Sequence, residues 1–399
     1  MTEHPMFTLI AMLILGYGLF SKLSSRSVIT APMVFVTVGL LISFFNIDLL
    51  LQNPKASYVK VLAELTLLLV LFVDASTIDR AKLKLDRSLP LRLLGIGLPI
   101  TMILGAVIAI PLFPDEPVWA LVLLAFILSP TDAALGQAVV TGEQVPLRVR
   151  QTINVESGLN DGIALPPILV CLAVLSGEAG EGLDFTYWLG FVAKQFVFGP
   201  IIGGLVGWIG GTLVELSSKR GWMNHTYQML ASLAIAVLAF SLAESLHGNG
   251  FIAAYFAGLM LGTRTEAIRE RIREFGEAES QVMVLCIFLL FGMILVPISL
   301  PYWDWRALVY ALLSLTVIRM FPVALSLIGS GLNQKTIWFI GWFGPRGIAS
   351  VLYLLMAVIM LGTEGNERII SVITLTVLLS IFVHGITAVP FSKLFNKNE

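Results

Sequence analysis

Apolar residues in this chain gather into runs that recur from one end to the other, separated by short polar stretches. Counting about 18 or more mostly apolar residues as enough to cross a bilayer as a helix, the pattern predicts about thirteen spans. The first seven run Phe7 to Leu23, Val28 to Phe45, Val61 to Thr77, Leu93 to Leu112, Val118 to Thr141, Ile153 to Leu175 and Tyr187 to Leu216. The rest run Thr226 to Leu246, Gly250 to Leu261, Gln281 to Leu300, Ala307 to Ile328, Thr336 to Leu361 and Ile369 to Phe391. The run from Gly250 is short, and its loss would reverse the sidedness of every later loop.

Two spans carry their own interruptions. Span five contains Ser129-Pro130-Thr131-Asp132, and span twelve contains Gly341-Trp342-Phe343-Gly344-Pro345-Arg346-Gly347. A proline inside a span removes a backbone hydrogen bond and clashes with the preceding turn, and glycine lets the chain unwind. The interruptions lie seven spans apart, an odd number, so the two segments run in opposite directions. That is the arrangement of an inverted repeat made of spans one to six and eight to thirteen, with span seven connecting them. The expected fold is an all-α polytopic membrane protein with inverted six-helix repeats and two broken helices, spans five and twelve, that cross.

Composition agrees, with 57% of residues apolar and 13% charged, against roughly 45–50% apolar in a soluble domain. A net charge of -1 supplies no global field to draw nucleic acid or an acidic partner, so charge is informative by position. Eighteen of the 25 Lys and Arg residues fall in the alternate loops that begin after span one, whereas four, Lys55, Lys60, Arg306 and Arg368, fall in the others. Basic loops stay on the cytoplasmic side, which puts the N-terminus outside and the C-terminus inside, with the cytoplasmic (inner) membrane as the expected location. The bias holds through every loop, which supports the short Gly250 span. No Lys or Arg precedes the first apolar run, so it reads as a span and not as a secretory signal. The chain stops a few residues past span thirteen, and no soluble regulatory domain is expected. Cys171 and Cys286 fall in apolar runs and read as small buried hydrophobes.

The three remaining cations, Lys194, Arg319 and Arg346, lie inside spans. A charge at bilayer depth costs roughly 2.5–3.5 kcal/mol, so each needs a partner or a wet cavity. Span six reads Asn154-Val155-Glu156-Ser157-Gly158-Leu159-Asn160-Asp161-Gly162. Helical spacing stacks Glu156 over Asn160 and Ser157 over Asp161, two adjoining polar stripes on an apolar helix that must face inward. With Thr131 and Asp132 from span five, carboxylates, hydroxyls and freed carbonyls meet at similar depth. Oxygen ligands suit small hard cations, and a desolvated carboxylate binds either a proton or a cation. That competition is the simplest physical basis of exchange.

The alternative is structural, with carboxylates neutralised by Arg319 and Arg346 to hold helices together. It suits Glu156, with Arg319 as partner, better than Asp161, because Asp74, Asp132, Glu156 and Asp161 together outnumber the available cations. Asp74, on span three, either reaches an ion through water or is a polar residue near a helix end. Lys194 pairs with a carboxylate or snorkels. His247 reads as a turn residue, Glu244 as interfacial, and His384 as an interhelical donor more than a proton relay. Gly203, Gly204 and Gly207 fit close helix packing, and no phosphate-loop motif is present.

Three segments, Ser129-Pro130-Thr131-Asp132-Ala133, Val155 through Gly162, and Phe343-Gly344-Pro345-Arg346-Gly347, resemble the cation/proton antiporters of the NhaP and eukaryotic sodium/proton exchanger branch. The resemblance spans essentially the whole chain. It implies exchange of Na+, or Li+, for H+ by alternating access, with both competing for Asp161 and with Ser157 and the Thr131 backbone as further Na+ ligands. Asp132 is implied to stand beside the site and stabilise the crossing, Glu156 and Arg319 to form an ion pair that fixes Asn160, and Arg346 to lie near the crossover. Electrogenic relatives carry a second aspartate at the Asn160 position, so this chain is expected to be electroneutral. Asp74 stands where relatives often carry Glu, and its shorter side chain puts direct ligation in doubt. A homodimer is also implied, with residues 1–77 and 226–300 as scaffold, 90–175 and 306–392 as ion-translocating core and 187–216 as linker helix. The transported Na+ and H+ need no cofactor, and the expected role is pH homeostasis.

Rival functions remain. The same architecture could carry K+ in place of Na+. A channel needs a continuous pore, whereas two antiparallel broken helices around a titratable carboxylate favour alternating access. An intramembrane aspartyl protease would use paired aspartates, but its Tyr-Asp and Gly-x-Gly-Asp signatures are absent from the sequence, and no enzymatic activity is expected.

Overall fold

The computed structural model describes residues 4–24, 27–45, 56–77, 88–136, 144–177, 197–262 and 266–393, with single positions 139, 142, 190 and 395. All regular structure among them is helical. The helices are α1 (His4–Ser24), α2 (Ala31–Phe44), α3 (Ala56–Thr77), α4 (Ser88–Leu112), α5 (Val118–Ile127), α6 (Leu147–Leu175), α7 (Gly199–Lys219), α8 (His225–Ser245) and α9 (Gly250–Leu261). They continue as α10 (Glu266–Leu290, running on through Phe291–Leu295 to Val296–Ser299), α11 (Trp305–Leu315), α12 (Val317–Ser326), α13 (Gln334–Trp342), α14 (Ile348–Leu361) and α15 (Glu367–Ser392). Seven described helices are long and apolar enough to cross a membrane by length and composition, and five more apolar helices are shorter. The chain is a multi-pass integral membrane protein. The expected span from Tyr187 begins in residues that are mostly undescribed, and Lys194 lies outside the described residues.

Helix starts follow from side chains that accept the first free N–H groups. Asn224 caps α8, Asn249 caps α9, Asp304 caps α11 and Asn333 caps α13. The α8–α9 turn holds His247 at φ 59, and the Glu244 carboxylate accepts the Gly250 N–H at 2.8 Å. His247 is thus a turn residue, and Glu244 closes that turn.

The backbone falls into two compact units. One comprises Glu64–Arg87 and Gly158–Met283. In it α7 packs on α9 through glycines: a β-carbon at Gly203 or Gly207 would strike the carbonyl of Ala253 or Ala257. The opposite side of α7 exposes Ile201, Leu205 and Trp208, as expected of a lipid-facing stripe. The other unit comprises Met1–Ala63, Ser88–Ser157 and Val284–Glu399. There α2 and α10 approach through reciprocal glycines, Gly39 against Leu289 and Gly292 against Val36.

Among the described residues, complete π turns lie at Leu93–Gly97 in α4 and Phe291–Leu295 at the end of α10. Each finishes two residues before a proline, Pro99 or Pro297, which has no N–H to offer the preceding turn. The stretch expected as one continuous span from Ala307 to Ile328 is broken at Thr316 (φ -116, ψ -92). The Thr316 hydroxyl bonds back to the Leu312 carbonyl at 2.6 Å, and Pro322 further weakens the helix beyond it. Hydropathy is blind to both features, since neither changes the apolar count.

Candidate functional site

The two interrupted spans meet in one place. α5 ends at Ile127 and α13 at Trp342, each followed by extended chain, and α14 begins only at Ile348. The extended segments bond directly: the Asp132 N–H donates to the Pro345 carbonyl at 2.8 Å. The Asp132 carboxylate accepts the Ile348 N–H at 2.9 Å, so it caps α14. Arg346 sends its guanidinium the other way, donating to Ser129 O at 2.8 Å, Pro130 O at 3.2 Å and Ser314 O at 3.5 Å. Ser350 donates to Ile127 O at 2.7 Å. A carboxylate therefore faces a helix N-terminus and a guanidinium faces a helix C-terminus, which matches the sign of each helix dipole. Arg346 has no measurable exposure; its terminal nitrogens donate to backbone carbonyls, its Nε meets no hydrogen-bonding group among the described residues, and the Glu156 carboxylate is close enough to act on its charge.

Helix α6 contributes the second part. Ser157 donates its hydroxyl to Thr131 O and accepts the Ala133 N–H, both at 2.9 Å. It thereby clasps the unwound segment around Thr131. One residue earlier, Glu156 forms a two-pronged ion pair with Arg319 of α12 at 2.6 and 2.8 Å, with both side chains about 2% exposed. Gly344 lies so close to the Arg319 guanidinium that a β-carbon would collide with it.

Asn160 and Asp161 follow one turn further along the same helix, both buried. In their unit, the ring of Tyr255 from α9 lies against Gly162, the residue after Asp161. The carbonyl of Asp74 lies 3.6 Å from where a β-carbon of Gly158 would sit. Gly258 and Gly262 of α9 abut the Phe72 and Ser76 carbonyls, so the α3 turn that carries Asp74 is held on α9 as well. Asp74, Tyr255 and the Gly158–Gly162 turn thus form one cluster.

Sequence reasoning missed Tyr255, Ser350 and Ser380, the last of which accepts the Arg346 N–H at 2.7 Å. For Tyr255 a signal existed, a lone phenol in a short span of small apolar residues. The two serines carry no such mark.

The arrangement supplies a buried carboxylate, oxygen donors and freed backbone where two half-helices meet, which is chemistry for holding and releasing a small cation or proton. A family profile described as the transmembrane sodium/hydrogen exchanger matches residues 9–394. A K(+)/H(+) antiporter NhaP2 of Shewanella sp. (strain ANA-3) is 27% identical over 378 residues, 94% of this chain and 64% of that protein. A Na(+)/H(+) antiporter of Schizosaccharomyces pombe is 25% identical over 308 residues, 69% of this chain and 65% of that one. The chain therefore spans a little under two thirds of the length of these relatives. The sodium proton antiporter MjNhaP1 of Methanocaldococcus jannaschii at pH 8 superposes with a TM-score of 0.79 at 19% identity, covering 97% of each chain.

Proposed function

The chain belongs to the transmembrane sodium/hydrogen exchanger family, and from that premise we propose that it exchanges Na+ for H+ by alternating access, one for one, with both competing for Asp161. The observation that carries this reading is the crossover of two unwound half-helices, clasped by Ser157 one helical turn before Asp161. Unwound backbone frees carbonyls that can replace water around an ion, and a carboxylate beside them can surrender the ion to a proton. In this reading Asp161, Ser157 and the Thr131 carbonyl hold the cation, and Asp132 stabilises the crossing beside them. Glu156 and Arg319 neutralise each other and fix Asn160; with an amide there and not a second aspartate beside Asp161, exchange is electroneutral. Asp74 and Tyr255 border the cation path.

Residues 90–175 and 306–392 would move as the ion-carrying core against a dimeric scaffold of 1–77 and 226–300, with 187–216 linking them. The membrane is the cytoplasmic one, with the N-terminus outside and the C-terminus inside. K+ in place of Na+ is the second reading, favoured by the K(+)/H(+) names of the NhaP2 relatives. Purified protein in liposomes with a trapped pH dye tests both. A pH gradient dissipated by Na+ under a clamped potential, and not by Asp161→Asn, supports Na+ exchange. Dissipation by K+ alone replaces the ion, and none by either overturns the reading.

A further inference from the structure

Helix α15 carries an ionisable side chain that the exchange chemistry does not use. His384 is about 1% exposed and lies at the back of the crossover. Its Nδ1 is 3.1 Å from both the hydroxyl and the carbonyl oxygen of Ser380, one turn earlier on the same helix. Its ring packs against Trp342, the last residue of α13, with centroids 5.1 Å apart and the planes tilted by 35°. Trp342 is itself tied to α15 through its indole N–H, which donates to the Thr387 hydroxyl at 3.0 Å. The Ser380 hydroxyl accepts the Arg346 N–H at 2.7 Å. A continuous line therefore runs from His384 Nδ1 through Ser380 to the backbone of Arg346, and on through its guanidinium to Ser129 O and Pro130 O, next to Thr131.

Protonating the ring would place a third cation near Arg346 and Arg319; among the described residues the carboxylate bonded to either is Glu156, which pairs with Arg319. The Nε2 atom is buried and meets no hydrogen-bonding group among the described residues. A charged ring would thus add a buried donor with nothing to receive it, which is costly. His384 is suited to hold position as a neutral ring, acting through Nδ1.

We propose that His384 is a positioning residue for cation binding: through Nδ1 it orients Ser380, which holds the Arg346 backbone and so sets the freed carbonyls around Thr131. The inference rests on the exchange reading above. A hydrogen bond contributes about 0.5–1.5 kcal/mol, and a tenfold change corresponds to about 1.4 kcal/mol, so losing the link should weaken apparent cation affinity roughly three- to tenfold. Turnover at saturating cation should stay within about twofold of the parent protein.

The test compares His384→Phe, His384→Asn, His384→Gln and Ser380→Ala in proteoliposomes, reading KM for Na+ and K+ separately from Vmax. Cation-induced thermal stabilisation of the detergent-purified proteins gives a second measure of affinity. Phe keeps the packing on Trp342 but has no Nδ1; Asn places a polar atom near the Nδ1 position, and Gln near Nε2. The expected result is a raised KM in the Phe, Gln and Ser380→Ala proteins and a KM near the parent's in Asn. The Phe and Ala changes should not add when combined, because they break one link. An unshifted KM in His384→Phe and Ser380→Ala, or rescue by Gln and not Asn, overturns the proposal while leaving exchange intact. If His384→Phe does not accumulate, the contrast between His384→Gln and His384→Asn decides the matter, with Ser380→Ala reporting the size of the full loss. A parent protein that answers to no monovalent cation in either measurement overturns the exchange reading, and the role of His384 falls with it.

Discussion

Replacing Glu156 with Gln removes one charge from the Glu156–Arg319 pair while keeping its shape. The pair makes two charge-assisted bonds, 2.6 and 2.8 Å, between side chains about 2% exposed. Bonds of that kind contribute about 1.5–3 kcal/mol each. Together they match the roughly 3–5 kcal/mol lost when one partner of a buried pair is removed. Glutamine retains one acceptor, so about 3 kcal/mol is expected, a shift of roughly a hundredfold in the folded-to-unfolded ratio. The converse change, Arg319→Met, should cost less, because an orphaned carboxylate can take up a proton whereas an orphaned guanidinium cannot shed one. Changing both to Met removes the charges together and should recover much of the loss. Tryptophan-fluorescence melts of the four purified proteins in one detergent give the ordering directly. A Glu156→Gln melt within a degree of the parent, or a double change worse than both singles, would refute the view that these two charges stabilise the fold chiefly through each other.

Asp161→Asn should abolish proton-coupled cation flux at every pH in the liposome assay while the protein still gives a cooperative melt, since the amide keeps the shape of the carboxylate. Gly347→Ala puts a β-carbon into the Asp132 carboxylate; losing the α14 cap should cost about 1 kcal/mol, read as a lower melting temperature together with reduced Vmax. Gly162→Ala drives a methyl into the Tyr255 ring and should raise KM for the cation in the same assay, more than Vmax falls. Glu116, in the loop between α4 and α5, has its carboxyl pushed above the usual 4.5 chiefly by burial, with Asp115 and Glu367 adding to the rise and Arg368 opposing it. The folded state therefore holds that proton more tightly than the unfolded chain, and its stabilising contribution disappears as pH rises above 4.5. Glu116→Gln should raise the melting temperature at neutral pH, with the gain vanishing below pH 4.5.

The span pattern and the two interruptions were legible because they depend on residue kinds in sequence order: apolar runs, prolines and glycines. Glu156, Arg319 and Arg346 announced themselves as charges inside apolar runs. What was hidden depends on contacts between distant segments or on hydrogen-bond geometry. The break at Thr316 turns on a hydroxyl choosing a backbone carbonyl, which threonines in unbroken helices also do, as Thr374 and Thr376 of α15 illustrate. The π turns differ from an α-helix by one hydrogen-bond register. Arg346 was expected to need a partner or a wet cavity and to lie near the crossover; which groups receive it was not legible, because the carbonyls freed by the broken α5 exist only once the fold has formed. Tyr255 carried a weak mark, a lone phenol in the middle of a short apolar span, and only its seat on Gly162 gives that mark a meaning.

The crossover also has a history, because the chain is made from its N-terminus. The carbonyls of Ser129 and Pro130 are received by Arg346, 217 and 216 residues later in the sequence. Until that guanidinium is synthesised and enters the membrane, these polar groups have no protein partner of their final kind, and lipid offers none. The first broken segment must therefore wait in a wet or loosely inserted state while more than half of the chain is still emerging. The crossover should therefore be among the last parts of this protein to assemble in the bilayer, and a chain truncated before Arg346 should be recognised by the cell as unfinished even though its earlier helices are apolar enough to insert.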